Sequence, residues 1–333
     1  MNYKNFEELV KRYLNGDKNL SPLFIEGESG IGKSQIIRQV AEACKYSVFV
    51  VQIGTKTLEY FMGLPETVEV NGSLETKWTP PELVSLVNNC EGPALVFIDD
   101  FHLSREEERK VMFELLTDNA MHGFKLKDGT KIILAANPHS AEYGSTSSEL
   151  PKPIRSRVML FELNANFDQW KEVSLENSIS PLIVSFLTFN KECFLSEPGK
   201  NGQYPCPRAW WSLSNYLKAG FELTSELVCA AVGNTASAEF LAFYNIYLSY
   251  ERKKPDKWLS LDYKEKAAFI SYLMIKKDAN LIKRYHKEIK SDEKSRPLSI
   301  VLWKFLAFSK EESLKNFFDK EVPIDILKKY AIA

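Results

Sequence analysis

Eight consecutive residues, Gly27-Glu28-Ser29-Gly30-Ile31-Gly32-Lys33-Ser34, fit the pattern G-x-x-x-x-G-K-[ST]. Glycines let such a segment curl until its N–H groups converge on phosphate oxygens. A helix starting directly behind it adds partial positive charge. Lys33 is then placed to reach the outer phosphates of a nucleotide, and Ser34 offers a hydroxyl to Mg²⁺. Average composition produces this pattern by chance about once in a hundred chains of this length. A plain glycine-rich turn is the alternative.

Leu95-Val96-Phe97-Ile98-Asp99-Asp100 is the second such element. An apolar run delivers two acids at its end, where open α/β sheets bind ligands. Asp99 is suited to hold Mg²⁺ through water, and Asp100 to polarise an attacking water. Ile133-Leu134-Ala135-Ala136-Asn137 is another apolar run with a polar end. Asn137 either orients that water or forms a turn before Pro138. Arg155 and Arg157 stand just before a further strand, and Arg208 opens a later helix. For each of these arginines a surface role and a role at a phosphate both stand open.

The surrounding pattern supplies elements to position these residues. Phe6, Leu9, Val10, Tyr13 and Leu14 recur at helical spacing over residues 3–14. Leu23–Ile25 and Ser47–Val51 read as strands on either side of a helix over Lys33–Cys44. Strand, glycine loop, helix and strand begin a parallel α/β sheet. Ala94–Ile98, Ile132–Leu134 and Val158–Phe161 bring the strands to five. Asn71-Gly72 joins two short strands in a hairpin, and a second hairpin is expected over His122–Thr130. Ser104 with Glu107 reads as a capping box for the helix that follows. After Leu163 the strand signals stop and helical segments take over. The expected division is a nucleotide-binding core over 1–162, a helical domain over 163–250 and a helical extension over 251–333.

Composition excludes several classes. At 44% hydrophobic and 26% charged residues the chain is neither disordered nor collagen-like. No uninterrupted apolar run approaches the roughly 18 residues of a membrane span, so no membrane association is expected. Basic and acidic residues, 43 against 44, nearly cancel, which disfavours a nucleic-acid partner. Cys44, Cys90, Cys193, Cys206 and Cys229 lack metal-ligand spacing and are odd in number. They read as reduced thiols, and the expected compartment is the cytoplasm.

The order of these motifs resembles the MoxR-type branch of the AAA+ ATPases, and within it the MoxR-like ATPases of phages and prophages. The resemblance rests on Gly27–Ser34, Gly63-Leu64-Pro65, Trp78-Thr79-Pro80-Pro81, Leu95–Asp100, Lys127-Asp128-Gly129, Asn137, Ser156-Arg157-Val158 and Pro207-Arg208-Ala209-Trp210, and covers residues 1–220. It implies a P-loop αβα core with a five-stranded parallel sheet, then a helical lid and a helical tail. It implies ATP with Mg²⁺ as ligands and ATP hydrolysis as the activity. Asn137 resembles the sensor-1 residue, Arg157 a trans-acting arginine finger ahead of Arg155, and Arg208 sensor 2. Members form ring hexamers that remodel protein clients, often with a partner bearing a von Willebrand factor A domain.

The family usually has Asp-Glu where this chain has Asp99-Asp100, and Asn where it has His102. Asp is shorter than Glu by one bond, about 1.5 Å. Misplacing a reacting group by about 1 Å costs on the order of 100-fold in rate. Slow hydrolysis is therefore expected, and an ATP-gated assembly scaffold is one rival function. A nucleic-acid motor is another, on the strength of Lys125, Lys127 and Lys131.

Overall fold

The computed structural model describes residues 1–138, 150–196 and 202–307. The chain forms two compact units, Met1–Asn166 and Phe167–Ala333.

The first unit opens with α1 (Tyr3–Asn15), capped by Asn2, whose Oδ1 accepts from the Asn5 N–H at 2.9 Å. Phe6, Val10, Tyr13 and Leu14 are its buried side. β1 (Leu23–Glu26), α2 (Lys33–Ala43), β2 (Ser47–Gln52) and α3 (Leu58–Met62) follow. β3 (Pro65–Val70) and β4 (Ser73–Trp78) form an antiparallel hairpin. Its tip, Asn71 and Gly72, has positive φ at both positions, as a two-residue Asn-Gly turn requires. Its base is pinned: the Thr79 N–H donates to Leu64 O at 2.8 Å, and the Leu64 N–H to Thr79 Oγ1 at 2.9 Å. Gly63 permits that closure, since a Cβ there would lie 2.0 Å from Thr79 O.

Next come α4 (Glu82–Asn89), β5 (Ala94–Asp99) and α5 (Glu106–Asp118). A short hairpin of β6 (Ala120–Met121) and β7 (Phe124–Lys125) leads to β8 (Lys131–Ala136), α6 (Lys152–Arg155) and β9 (Met159–Glu162). Five strands make one sheet in the order β2-β5-β8-β1-β9, every pair parallel. β5 and β8 are buried along their whole length, as strands covered on both faces must be. Alternation sorts their side chains. Val96, Ile98, Leu134 and Ala136 join the cluster with Phe61 of α3, Leu83 of α4 and Met112 of α5. Asp99, Ile133 and Ala135 alternate with these and take the opposite face, where α1 and α2 pack.

Two expected features shift. The cap of α5 falls one residue later than Ser104 and Glu107: the Arg105 N–H donates to Glu108 Oε2 at 2.8 Å. Ser104 Oγ is already engaged, donating to Phe101 O at 2.6 Å and accepting from Arg109 Nε at 2.8 Å. The second hairpin spans 120–125 rather than His122–Thr130. His122 and Gly123 both have positive φ and reverse the chain early, leaving Asp128-Gly129 to a separate turn.

The second unit is helical: α7 (Phe167–Glu176), α8 (Pro181–Phe189), α9 (Pro207–Lys218), α10 (Ser225–Arg252), α11 (Tyr263–Lys276), α12 (Ala279–Ser291) and α13 (Arg296–Ala307). α8 and α11 are buried nearly all round and pack on each other. The position expected for a boundary, after residue 250, falls within the second unit. Residues 308–333 of the expected extension lie outside the described residues. On α9, Trp210 is fixed by Phe186 and Phe240, each with ring centroids 5.6 Å away, and its Nε1–H donates to Cys193 O at 2.8 Å.

By length and composition α10 is the one helix among the described residues able to cross a membrane, with a mean hydropathy of 1.3. Part of its apolar surface is packed: Val228, Val232, Phe240 and Phe243 are buried, and the helix lies against α8, α9 and α11. It breaks at Gly233, where φ 78° and ψ 171° are not helical. A Cβ there would stand 2.1 Å from Gln203 O, so the break lets the chain entering α9 pass. That backbone region is nearly exclusive to glycine and costs about 1–3 kcal/mol for other residues, before any clash. Gly233→Ala is expected to lower the unfolding temperature of the chain measurably in a thermal melt. An unchanged melt would show that the break is dispensable.

Candidate functional site

The candidate site lies at the C-terminal edge of β1, β8 and β5, neighbours in the sheet or one strand apart. The Gly27 N–H extends the β1–β8 ladder by one bond, to Ala136 O at 3.2 Å. From there the chain turns away through Gly30 (φ 78°) and Gly32 (φ 102°) into α2. Left-handed backbone at both positions is what their glycines supply. Gly27 is tight for a different reason: a Cβ would lie 2.6 Å from Leu163 O. Glu28 and Ser29 are half-buried, and Ile31 is buried and anchors the loop.

Lys33, only 8% exposed, folds back over this loop. Its Nζ donates to Gly27 O at 2.6 Å, Glu28 O at 2.9 Å and Asn137 Oδ1 at 3.0 Å. Ser34 Oγ donates to Asp99 Oδ2 at 2.7 Å. β8 lies between β1 and β5, so this bond reaches past an intervening strand. Ala135 is the residue of β8 on that face at the level of Asp99, and its small side chain leaves the way open. Asp99 Oδ1 accepts from the Asp100 N–H at 3.1 Å. Asp100 sits in the left-handed region at φ 54° and ψ 40°, which Asp tolerates better than most residues.

His102 joins the same cluster. The Asn137 N–H faces its Nδ1 at 3.3 Å, and Asn137 Nδ2 lies 3.3 Å from its Nε2. Burial holds the His102 pKa below the usual histidine value; Asp100 and Asp99 oppose that and Lys33 reinforces it.

Two oxygen donors, Ser34 and Asp99, suit Mg²⁺, which keeps waters and takes most other ligands from phosphates. Among the described residues no group of three or more His, Cys, Asp or Glu gathers to hold a metal by itself. The donor set therefore fits Mg²⁺ arriving with a nucleotide.

Arg155 and Arg157 make their contacts outside this cluster. Arg157 Nε donates to Thr117 Oγ1 at 2.7 Å and its Nη1 to Pro153 O at 2.6 Å, with the guanidinium 5.6 Å from the Phe113 ring. It is held along α5. Arg155 is exposed and acts on Glu26, whose carboxyl is pushed up by burial, pulled down by Arg155 and raised again by Glu162. Arg208 is exposed on the first turn of α9, in the second unit.

Residues 22–158 match the AAA domain of the dynein-related subfamily. The fold is the P-loop AAA+ fold. Over 176 residues the chain is 27% identical to midasin of Giardia intestinalis, a match taking in 50% of this chain and 3% of that protein. The chain thus spans only a small part of the length of the curated relative it matches. Among solved structures, the RuvB Holliday junction branch migration motor of Thermotoga maritima is 13% identical, with a TM-score of 0.42 over 78% of each chain. NtrX of Brucella abortus, in complex with ADP, is 14% identical with a TM-score of 0.44, over 86% of this chain and 67% of that one.

Reading the sequence did not join His102 to Asn137, or Thr117 and Phe113 to Arg157. A histidine between a strand end and a helix start carries no spacing signal, and threonine and phenylalanine on a helix look like ordinary packing. The sheet order β5-β8-β1 is what brings His102 beside Asn137.

Proposed function

We propose that the AAA domain binds ATP with Mg²⁺ and hydrolyses it to ADP and phosphate, as a MoxR-type ring ATPase that remodels or assembles a protein client. One observation carries this reading. Lys33 and Ser34 are tied by hydrogen bonds to Asn137 and Asp99, so residues at the ends of β1, β5 and β8 meet at the glycine loop. Lys33 neutralises the β- and γ-phosphates, Gly27 to Gly32 offer backbone N–H groups, and Ser34 and Asp99 hold the cation. Mg²⁺ held there would neutralise phosphate charge. Water attacks the γ-phosphorus, the bond to the bridging oxygen breaks, and the water proton passes toward Asp100. Asn137 orients that water, Arg157 serves a neighbouring subunit, and Arg208 closes a lid formed by residues 163–250. A homo-hexamer, a von Willebrand factor A domain partner and a cytoplasmic site of action belong to the same reading.

A nucleic-acid motor is less well supported. Lys127 Nζ is spent on Cys90 O at 2.8 Å and Gly92 O at 2.6 Å, and Lys131 is buried with its Nζ on Gly16 O at 3.2 Å. That leaves Lys125 alone of the three lysines free to face a polyanion.

Asp100→Asn tests the proposal. It removes charge and basicity at constant size and suits the same left-handed backbone. The variant is expected to bind ATP as well as wild type, to release phosphate at least about 100-fold more slowly, and to stay in the ATP-bound assembly by size-exclusion. Equal phosphate release would reject Asp100 as the activating group. Asp100→Glu restores the longer arm and is expected to raise turnover; a slower enzyme would show a site already fitted to the shorter acid.

A further inference from the structure

Asn137 faces two demands that cannot both be met while Lys33 rests where it does. Lys33 has only hydrogens to give, so Asn137 must turn its Oδ1 toward Nζ, 3.0 Å away. Its NH₂ group is then aimed at His102 Nε2, 3.3 Å away, while its backbone N–H is aimed at His102 Nδ1, also 3.3 Å away. A neutral imidazole has one acceptor nitrogen and one N–H; an imidazolium has two N–H groups. In every protonation state at least one N–H of Asn137 therefore meets an N–H of the ring.

Turning the amide over removes the conflict. Oδ1 then accepts from Nε2–H, Nδ1 still accepts from the backbone N–H, and both ring nitrogens are satisfied. The amide NH₂ is left pointing to the place of Lys33 Nζ. That orientation is barred while Nζ is there, since two sets of donors would face each other. It opens when a nucleotide draws Lys33 onto its phosphates.

We propose that His102 is a positioning residue that turns the Asn137 amide, so that Asn137 presents its NH₂ group to the γ-phosphate side only after Lys33 has moved to a bound nucleotide. His102 then makes the water-orienting residue wait for the ligand. The lowered His102 pKa agrees with this, because it keeps the ring neutral near pH 7 and able to accept at Nδ1. This inference rests on the nucleotide reading above.

The test uses the full chain labelled with ¹⁵N-histidine, with and without a non-hydrolysable ATP analogue and Mg²⁺. With the analogue bound, the His102 resonances, assigned by loss in His102→Gln, are expected to report a neutral Nε2–H tautomer. An Nδ1–H tautomer or an imidazolium in the bound state overturns the proposal. Steady-state kinetics supply the second readout. His102→Leu is expected to lower kcat by on the order of 10- to 100-fold with KM for ATP nearly unchanged, the loss following from a misplaced orienting group. His102→Gln, whose amide can both accept and donate, is expected to restore most of kcat. In the Asn137→Ala background His102→Leu is expected to add nothing, because the effect passes through the missing amide. Multiplying effects in the double variant overturn the proposal, even if each single variant is slow. If wild type fails to bind the analogue, the nucleotide reading falls and this inference with it; binding with the wrong tautomer removes this inference alone.

Discussion

On the proposed reading, Lys33→Ala is expected to leave the first unit folded but unable to hold ATP. In the structure its ammonium touches three oxygens within 3.0 Å and is almost wholly shielded from solvent. A phosphate chain entering the loop takes over those contacts. Hydrogen bonds from a charged donor contribute about 1.5–3 kcal/mol each. Losing two of them raises Kd by on the order of 100-fold or more. Titration with a fluorescent ATP analogue reads the effect, and circular dichroism confirms that the fold survives. Unchanged affinity would overturn the phosphate-loop assignment and every role built on it.

Arg157→Ala is expected to leave ATP binding near wild type and to cut turnover by on the order of 1,000-fold, the scale of an arginine finger supplied in trans. Thr117, Pro153 O and the Phe113 ring hold this side chain along α5. On the proposed reading it serves a neighbouring subunit; the alternative is that it buttresses the loop around Pro153. Mixing Arg157→Ala with Lys33→Ala separates these cases. One variant keeps an intact phosphate loop and the other an intact arginine, so mixed assemblies regain activity where the two meet. Mixed assemblies that form and stay inactive would reject the trans role. A larger loss in Arg155→Ala would move it to the arginine that now acts on Glu26.

Much of the first unit could be read from residue types alone. Gly27, Gly30 and Gly32 announced a loop because only glycine accepts the close approach or positive φ found there. β5 and β8 were legible because each is an apolar run with one charged residue at an end, the mark of strands buried on both faces. Register effects were not legible. Ser104 looked like a cap, but its hydroxyl is taken by Phe101 O and Arg109, and the true bond lies one residue on. The contact between His102 and Asn137 depends on which strands are neighbours, which periodicity does not encode. The packing of α11 on α8 was hidden for a similar reason: a polar stretch around Pro255 reads as a linker whether or not the helices beyond it fold back.

Left-handed backbone at Asp100 bears on how the protein can diverge. Such a position favours Asp, Asn and Gly, while most other side chains cost roughly 1–2 kcal/mol there. Codons for Asp and Asn differ by a single base. On the proposed function, a lineage carrying this chain therefore stands one transition away from a form expected to fold and take up nucleotide without turning it over. The return step is equally short. Glu needs a transversion and meets the backbone cost as well. The local geometry thus makes loss and recovery of turnover the easiest mutational path at this position, and makes gain of the longer acid the harder one.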